Sequence, residues 1–257
     1  MVTYRLDIAY DGSRFYGYAK QPNVRTVQGE LEAALSPHTG GVETYVGGRT
    51  DKGVHASGQV VSFTCDKLDV AQVLRSLNSL LAPEIAARRL TEAPDGFHAR
   101  FSATGRTYRY RINNSAVHDP FLAATTWTLG EHLDVDAMND AVRPLVGEHD
   151  FAAFCRKQEG RSTERVVFWT RWRRSTDVVE FSIGASGFCH QLVRSIVGLS
   201  VEVGRGRVSA EAVPHIVSSE HRHRSAGAAP PHGLTLVAVV YGAELLPRPS
   251  WVPAEHS

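Results

Sequence analysis

The first part of the chain alternates between patterns typical of strands and patterns typical of helices. Apolar side chains first recur at every second position, as in a strand with one buried face, at Tyr4, Leu6, Ile8 and Tyr10. Thr26 is a candidate cap for a helix whose apolar positions follow at helical spacing: Val27, Leu31, Ala34 and Leu35. Asp69 is the candidate cap for a second helix, which Pro83 ends. The apolar positions of this second helix are Val70, Val73, Leu74, Leu77 and Leu81.

Three shorter apolar runs predict further strands between and after these helices. They cover residues 42–46, 59–65 and 85–90. The resulting order is β-α-β-β-α-β, which is the split βαβ, or ferredoxin-like, pattern that RNA-recognition domains also use.

The second part of the chain repeats this order loosely. It offers a strand at 107–112, a helix at 135–145, a hairpin from 166–172 and 178–183, a long apolar helix at 188–203 and a last strand at 234–241. We therefore predict an α+β protein with two ferredoxin-like halves, whose sheets flank a central cleft. The predicted boundaries are 1–104 for the first half, 105–246 for the second and 247–257 for a flexible, proline-rich tail.

Composition and charge restrict the function only weakly. The chain has 257 residues, 42% of them hydrophobic, which is enough for one large or two modest domains. Its net charge of +1 does not by itself indicate a nucleic-acid-binding protein. Only Lys20, Lys52, Lys67 and Lys157 are lysines among the 28 basic residues. Arginine suits phosphate and base recognition, but a genome rich in G and C would produce the same preference.

Cysteine usage and the first residues indicate the compartment. Cys65, Cys155 and Cys189 are widely spaced and odd in number, so we expect neither a zinc site nor a disulfide framework. Charges within 1–21 argue against a signal peptide, and no apolar run reaches 18 residues. We expect a soluble, cytoplasmic protein in a reducing environment.

A glycine-rich segment at 47–63 carries the strongest candidate chemistry. It holds Arg49, Asp51 and His55 in a turn between two predicted strands. The Arg49 charge would keep the Asp51 carboxyl group ionised, ready to act as nucleophile or general base. Since His55 is the only other candidate ligand nearby, we expect no metal site. The alternative is a structural turn with an Arg–Asp pair.

Two further stretches combine arginines with buried or aromatic positions. In 98–111, Tyr108 and Tyr110 share one face of a strand; Tyr110 is expected in the core, whereas Tyr108 remains a candidate for stacking on a base. In 187–198, Arg194 lies among apolar neighbours. Its guanidinium either pairs with a carboxylate, for which Asp51 is the candidate, or reaches the surface while the aliphatic part of the side chain stays buried.

These three stretches, in this order, resemble the tRNA pseudouridine synthase A family. The resemblance includes Gly48-Arg49-Thr50-Asp51 with Gly53-Val54-His55, and it continues through three further segments. They are Tyr10-Asp11-Gly12-Ser13, Phe97-His98-Ala99-Arg100-Phe101-Ser102-Ala103-Thr104 and Gly233-Leu234-Thr235-Leu236-Val237-Ala238-Val239. It implies a homodimer without cofactor or metal. It also implies that selected uridines of tRNA are converted to pseudouridine on the 3′ side of the anticodon stem-loop, at tRNA positions 38, 39 and 40.

The resemblance also implies roles for individual residues. Asp51 matches the catalytic aspartate, and Arg49 matches the arginine that displaces the target base. Tyr108 matches the tyrosine that stacks on uracil, Arg194 the basic partner of the aspartate, and Leu234 an apolar residue of the pocket. Three positions depart from the family's usual residues. Tyr18 stands where tryptophan is usual, Lys52 where a small residue is usual, and Leu192 where methionine is common.

Two other functions fit parts of the sequence. A non-catalytic RNA-binding module would use two RRM-like sheets, but no aromatic RNP1 motif is visible. An unrelated hydrolase with an aspartyl nucleophile would share only the Asp51 turn. Two basic runs, His221-Arg222-His223-Arg224 and Arg171-Trp172-Arg173-Arg174, are interpreted as a solvated loop and a strand edge, each with RNA contact as the alternative.

Overall fold

In the computed structural model, which describes residues 1–155, 160, 162–219, 227–243 and 246–252, the chain is mixed α/β with mostly antiparallel strands. It divides into two compact units. Unit 1 contains Met1–Thr104 and Thr235–Leu245, and unit 2 contains Gly105–Leu234 and Leu246–Ser257.

The elements of unit 1 follow the predicted order. They are β1 (Val2–Tyr10), α1 (Val27–Thr39), β2 (Tyr45–Val46), β3 (His55–Cys65), α2 (Val70–Leu81) and β4 (Ile85–Glu92). β1 lies between β4 and β3 and is antiparallel to both, and β2 pairs with β3. The alternation in β1 is confirmed, since all four of its predicted apolar residues are buried.

Both predicted helix starts of unit 1 are confirmed. The Thr26 hydroxyl accepts a hydrogen bond from the Gly29 N–H, and the Asp69 carboxylate accepts one from the Gln72 N–H. Gly40 ends α1 in the left-handed conformation, with φ of 70°. The buried face of α1 is the predicted one: Val27, Leu31, Ala34 and Leu35.

The predicted elements of unit 2 lie close to their expected positions, whereas Trp127–Thr128, Gly147–Asp150 and Val213–Val217 form elements that the sequence did not predict. The strands are β5 (Ala103–Asn113), β6 (Trp127–Thr128), β7 (Gly147–Asp150), β8 (Glu164–Ser175) and β9 (Val178–Ala185). The helices are α3 (Val135–Val142), α4 (Leu192–Gly204) and α5 (Val213–Val217). Short 3₁₀ helices cover Arg143–Leu145, Ala210–Ala212 and Pro231–Gly233. β5, β9 and β8 are antiparallel neighbours, β7 continues the sheet beside β8, and β6 runs parallel to β5.

The last strand, β10 (Leu234–Tyr241), runs parallel to β3. Thr235 stands opposite His55 in this pairing, and Leu236 stands opposite Ala56. From Thr235 onward the strand therefore belongs to the sheet of unit 1. Its contact with β3 lies at the end that follows the glycine-rich segment.

Three predicted boundaries are wrong. The lead-in strand covers only Tyr45–Val46, while β3 starts four residues early, because its pairing with β1 extends to Tyr10 opposite Ala56. The helix expected from residue 188 begins at Leu192. Gln191 adopts φ of 68°, which a right-handed helix does not accommodate.

The expectation of three unpaired cysteines is wrong as well. The structure joins Cys155 and Cys189 in a disulfide with Cα atoms 5.9 Å apart, and Cys65 is buried and free. The two bonded residues are separated by 34 positions along the chain, so their sequence spacing gave no sign of their proximity.

One asparagine in each unit binds the backbone of an outer strand segment in the same way. Asn78 on α2 donates to the Ala87 carbonyl at 2.8 Å and accepts from the Ala87 N–H at 2.9 Å. Asn139 on α3 donates to the Trp172 carbonyl at 3.1 Å and accepts from the Trp172 N–H at 2.9 Å. Each amide also donates to the carbonyl four residues earlier in its own helix. The two amides thus replace a neighbouring strand at these points.

Removing either amide is expected to destabilise its unit. We expect Asn78→Ala and Asn139→Ala each to lower the free energy of unfolding by about 1–3 kcal/mol, because each leaves a backbone N–H and C=O without partners. Urea denaturation measures the change. Ser79→Ala, at an exposed position next to Asn78, is the control and should stay within about 0.5 kcal/mol of the wild type. Equal effects of Asn78→Ala and Ser79→Ala would contradict the assignment.

Candidate active site

The first part of the glycine-rich segment, residues 47–54, forms a loop between β2 and β3 in unit 1, with Asp51 near its middle. The Asp51 side chain is half-buried, Thr50 before it is buried, and Arg49 is exposed. Arg49 forms no ion pair with any residue that the structure describes, so the expected Arg49–Asp51 pair is not made. A hydrated surface guanidinium gains little from such a pair, and Arg49 stays available to an incoming ligand.

Gln59 on β3 holds the start of this loop. Its side-chain oxygen accepts from the Gly48 N–H at 3.2 Å, and its amide nitrogen donates to the Gly48 carbonyl at 2.6 Å. The same nitrogen donates to the Tyr10 hydroxyl at 3.3 Å, which lies 2.8 Å from the Thr50 hydroxyl. Since Gln59 is fully buried, these bonds form without competition from water. They fix the backbone on the N-terminal side of Asp51.

The environment of Tyr10 favours its neutral form. Burial raises the pKa of Tyr10 from 10.0 to about 12, against the opposing effect of its hydrogen bonds with Thr50 and Gln59. As the pH rises past 10, the Tyr10 hydroxyl would ionise in the unfolded chain before it ionises in the folded protein. The contribution of Tyr10 to stability is therefore complete below that pH and is lost as the pH approaches 12.

We expect this contribution to distinguish the wild type from Tyr10→Phe under alkaline conditions. Between about pH 10 and pH 12 the free energy of unfolding of the wild type should fall by about 1.4 kcal/mol more per pH unit than that of the variant. Urea denaturation across this range measures the difference. Other buried tyrosines contribute to both proteins and cancel, apart from Tyr18, whose pKa the Tyr10 charge raises further in the wild type. Parallel pH profiles would show that Tyr10 ionises as freely in the folded protein as in the unfolded chain.

A second segment, following β1, holds the other side of the loop. The Tyr18 N–H donates to the Thr50 carbonyl at 3.1 Å, and the Gly53 N–H donates to the Phe15 carbonyl at 3.4 Å. The Val54 N–H closes the turn onto the Asp51 carbonyl at 3.1 Å. Gly53 has φ of 77°, which favours glycine at this point of the turn. Asp51 is therefore held by backbone contacts on both sides.

Gly12 allows the segment after β1 to lie directly against the backbone of Val54. A Cβ atom at Gly12 would lie 2.0 Å from the Val54 carbonyl oxygen. The Gly12 N–H also donates to His55 Nδ1 at 3.1 Å, and His55 is buried. Only a residue without a side chain fits between the β1 end and the Asp51 loop.

His55 also lies against Asp11. Its Nδ1 is 3.1 Å from an Asp11 carboxylate oxygen. Burial raises the pKa of Asp11, but hydrogen bonds from Ser13 and the proximity of His55 outweigh it, so that the pKa lies below its usual value. A bare Nδ1 accepts the Gly12 N–H, whereas an Nδ1 that carries a hydrogen donates to Asp11, so the two contacts alternate.

In unit 2, β5 presents its tyrosines and arginines on opposite faces, as the sequence predicts. Tyr110 is fully buried and its hydroxyl donates to the Pro230 carbonyl at 2.8 Å, which confirms its place in the core. Tyr108 is 7% exposed, and its ring meets Phe188 edge to face at 5.0 Å between centroids. Arg109 and Arg111 on the other face are half-exposed.

Arg194 lies in the first turn of α4 and is half-buried. Its Nε donates to the Ala229 carbonyl at 2.7 Å, while the Ala229 N–H donates to the Arg194 carbonyl at 2.9 Å. Burial raises the pKa of Tyr110, and the nearby Arg194 charge opposes part of that rise. Leu234, the first residue of β10, is buried. The Arg194 guanidinium is thus held in place by the backbone before β10.

The five predicted site residues fall in both units. Arg49 and Asp51 share one loop of unit 1, and Tyr108, Arg194 and Leu234 belong to unit 2. The sequence analysis missed the residues that hold the Asp51 loop, above all Gln59, Tyr10 and Gly12. A buried amide inside the apolar run 59–65 was the available signal, because such a side chain must be hydrogen-bonded.

The basic runs have separate outcomes. His221–Arg224 lies outside the described residues. Trp172 is buried in β8, and the Arg173 guanidinium lies 4.4 Å from the Trp251 ring centroid. Arg174 donates to Asn114 and to the Leu133 carbonyl, both at 2.9 Å. The strand interpretation of 171–174 is therefore confirmed.

Neither a metal-binding cluster nor a membrane-spanning helix is found in residues 1–155, 160, 162–219, 227–243 and 246–252. In these ranges no three His, Cys, Asp or Glu side chains gather as ligands of one metal ion would. No helix there combines the length and the apolar character that crossing a membrane requires.

Comparison with known proteins gives consistent matches over most of the chain. A family model described as tRNA pseudouridine synthase matches residues 8–102 and 141–242. The tRNA pseudouridine synthase A of Streptomyces griseus is 42% identical over 255 residues, covering 95% of this chain and 90% of the relative. The protein of the same name from Halalkalibacterium halodurans is 42% identical over 242 residues, covering 89% of both chains.

A solved structure, the archaeal box H/ACA sRNP Nop10-Cbf5 complex, is a much weaker match. It is 14% identical, covering 77% of this chain and 44% of that chain, with a TM-score of 0.35. A score at this level carries no argument about this protein.

Proposed function

Because this chain belongs to the tRNA pseudouridine synthase family and isomerises uridine to pseudouridine in tRNA, we propose that Asp51 is its catalytic residue. The observation that carries this proposal is the placement of Asp51. Its half-buried carboxylate lies on a loop whose backbone is held on one side by Gln59 and on the other by the segment after β1. Such a group reaches a substrate in a fixed geometry, which catalysis requires.

The reaction defines what Asp51 has to do. The bond between C1′ and N1 breaks, the uracil turns, a bond forms between C1′ and C5, and the proton at C5 is lost. An ionised carboxylate serves this sequence by attacking C1′ or C6, or by taking the 2′ proton to give a glycal. All three routes use the same group at the same place, and all remain open.

Arg49 has the exposure expected of a residue that displaces the target base. Moving a uridine out of its stack costs roughly a few kcal/mol. A guanidinium without an ion pair among the described residues can occupy the gap and bind the adjacent phosphates. We assign Arg49 this role.

The three residues of unit 2 complete the proposed site. Tyr108 would cover the uracil and help to remove the C5 proton, Arg194 would pair with Asp51, and Leu234 would supply an apolar wall. The hydrogen bond from Arg194 to the Ala229 carbonyl supports this role, because a positioned guanidinium loses little further freedom on binding a carboxylate. The proposal retains the two ferredoxin-like halves that the sequence predicts.

The finer description of substrate and assembly belongs to the same proposal. We expect the target uridines on the 3′ side of the anticodon stem-loop, at tRNA positions 38, 39 and 40. We also expect a homodimer that acts in the cytoplasm without cofactor or metal. A non-catalytic RNA-binding module is not favoured, since the relatives that match most of the chain are named as synthases.

Tritium release tests the proposed activity directly. The purified protein is incubated with tRNA labelled at C5 of uridine, and released label is counted over time. We expect release from whole tRNA and from an isolated anticodon stem-loop, but not from tRNA whose uridines at these positions are replaced by cytidine. Absence of release from every tRNA would overturn the assignment, and release only from sites outside the stem-loop would overturn the substrate proposal.

A further inference from the structure

A lysine and a tyrosine form an exposed pair directly beside the proposed catalytic aspartate. Lys52 follows Asp51 in the chain and is exposed, and its Nζ lies 3.9 Å from the centroid of the Tyr16 ring. Tyr16 is 50% exposed. An ammonium group over an aromatic face is attracted by the electron density of the ring, so the ring sets the direction of the lysine side chain.

The backbone around Tyr16 is fixed independently of this contact. The Tyr16 N–H donates to the Arg25 carbonyl at 2.9 Å, and its carbonyl accepts from the Gln21 side chain at 3.1 Å. Gly17 follows with φ of 101°, and a Cβ atom there would lie 3.3 Å from the Lys52 nitrogen of the main chain. On either side of Tyr16, the Phe15 carbonyl accepts from the Gly53 N–H and the Tyr18 N–H donates to the Thr50 carbonyl. The backbone segments that carry Tyr16 and Lys52 are therefore joined by contacts that also hold the Asp51 loop.

The charge of Lys52 is not neutralised by a carboxylate. Within the part of the chain that the structure describes, Lys52 forms no ion pair, whereas Lys20 lies 3.0 Å from Glu32. Two acids of unit 1 have other partners: Asp11 lies against His55, and Glu84 pairs with Arg25 at 2.7 Å. A ring leaves the net positive charge at this point of the surface unchanged, whereas a carboxylate beside the ammonium would offset it.

We propose that Lys52, positioned by Tyr16, binds a phosphate of the RNA backbone next to the uridine on which Asp51 acts. This inference rests on the proposed function of Asp51. A lysine ammonium recognises phosphate as a compact point charge, and the tRNA substrate brings one phosphate with every nucleotide. The contact fixes the strand and not the sequence, because phosphates are identical at every position.

A phosphate contact has a quantitative signature in salt. Each neutralised phosphate releases condensed counterions, so the slope of the logarithm of affinity against the logarithm of salt concentration falls by about 0.7–0.9 per contact. A lysine that only faces solvent contributes nothing to this slope. A lysine that acts on the Asp51 carboxylate changes kcat instead of the slope.

Four variants separate these cases. Lys52→Gln removes the charge, Tyr16→Leu removes the ring, and Tyr16→Phe keeps the ring without its hydroxyl. Lys67→Gln is the matched control, since Lys67 is an exposed lysine of unit 1 beyond the far end of β3. Steady-state tritium release and tRNA binding by fluorescence anisotropy are measured for each protein over a range of salt concentrations.

For Lys52→Gln we expect the slope of log affinity against log salt concentration to be less negative than that of the wild type by about 0.7–0.9. We also expect a higher KM at low salt and a kcat within about twofold of the wild type. Tyr16→Leu should move KM in the same direction, and Tyr16→Phe and Lys67→Gln should match the wild type. An unchanged slope in Lys52→Gln overturns the inference, as does a loss in kcat at constant KM. Failure of the proposed function is distinguishable, because the wild type would then release no tritium while the binding slopes still test the phosphate contact.

Discussion

Replacing Asp51 with alanine is expected to abolish tritium release from C5-labelled tRNA. Without the carboxylate no described group on the loop can attack the ribose or uracil, or take the 2′ proton. We expect kcat to fall by at least about 1,000-fold, equivalent to roughly 4 kcal/mol of lost transition-state stabilisation. Binding of tRNA should change by less than about threefold, because affinity arises mainly from phosphate contacts.

Two variants control this experiment. Asp51→Asn keeps the shape of the side chain and should be as inactive as Asp51→Ala, which separates lost charge from lost packing. Asp66→Ala removes an exposed aspartate just beyond the far end of β3 and should retain the activity of the wild type. Turnover by Asp51→Ala close to that of Asp66→Ala would exclude Asp51 as the catalyst.

Gly12→Ala should cause the second large loss, through the position of the Asp51 loop. The added methyl carbon would lie 2.0 Å from the Val54 carbonyl oxygen, so one of the two backbone segments has to move. The Val54 N–H donates to the Asp51 carbonyl, and the displacement therefore reaches the Asp51 loop. We expect kcat to fall by about 100-fold and the free energy of unfolding to fall by about 2–4 kcal/mol.

Gly227→Ala is the matched control for this substitution. Gly227 is exposed, and a Cβ atom there would meet nothing within 4 Å. Steady-state kinetics and urea denaturation of both variants separate a general cost of replacing glycine from the specific clash. Gly12→Ala with the kcat and stability of Gly227→Ala would show that the loop does not depend on this contact.

Local features of the sequence predicted most of the elements. The alternation in β1 and the caps at Thr26 and Asp69 act over a few residues, so a single sequence is sufficient to find them. Boundaries that depend on pairing were missed. β3 extends back to His55 because β1 pairs with it as far as Ala56 and β10 pairs with it at His55, and α4 starts late because Gln191 turns the backbone.

The candidate site was predicted only in part. The motif located Asp51 and Arg49, since glycines and charges at short spacing are visible in the chain. The contacts of Gln59 with Gly48 join residues 11 positions apart, and those of Gln59 with Tyr10 join residues 49 positions apart. The Cys155–Cys189 bond is likewise a property of the folded chain. The roles of all five residues remain predictions: Arg49, Asp51, Tyr108, Arg194 and Leu234.

The paired asparagines have a consequence for contacts between molecules. A bare strand edge offers unpaired N–H and C=O groups on which another chain can add a strand, and this is a route both to peptide binding and to fibrils. Asn78 and Asn139 occupy those groups at Ala87 in β4 and at Trp172 in β8. An added strand therefore cannot hydrogen-bond to the backbone of Ala87 or Trp172, so templated strand addition should be less favourable at these two points of β4 and β8.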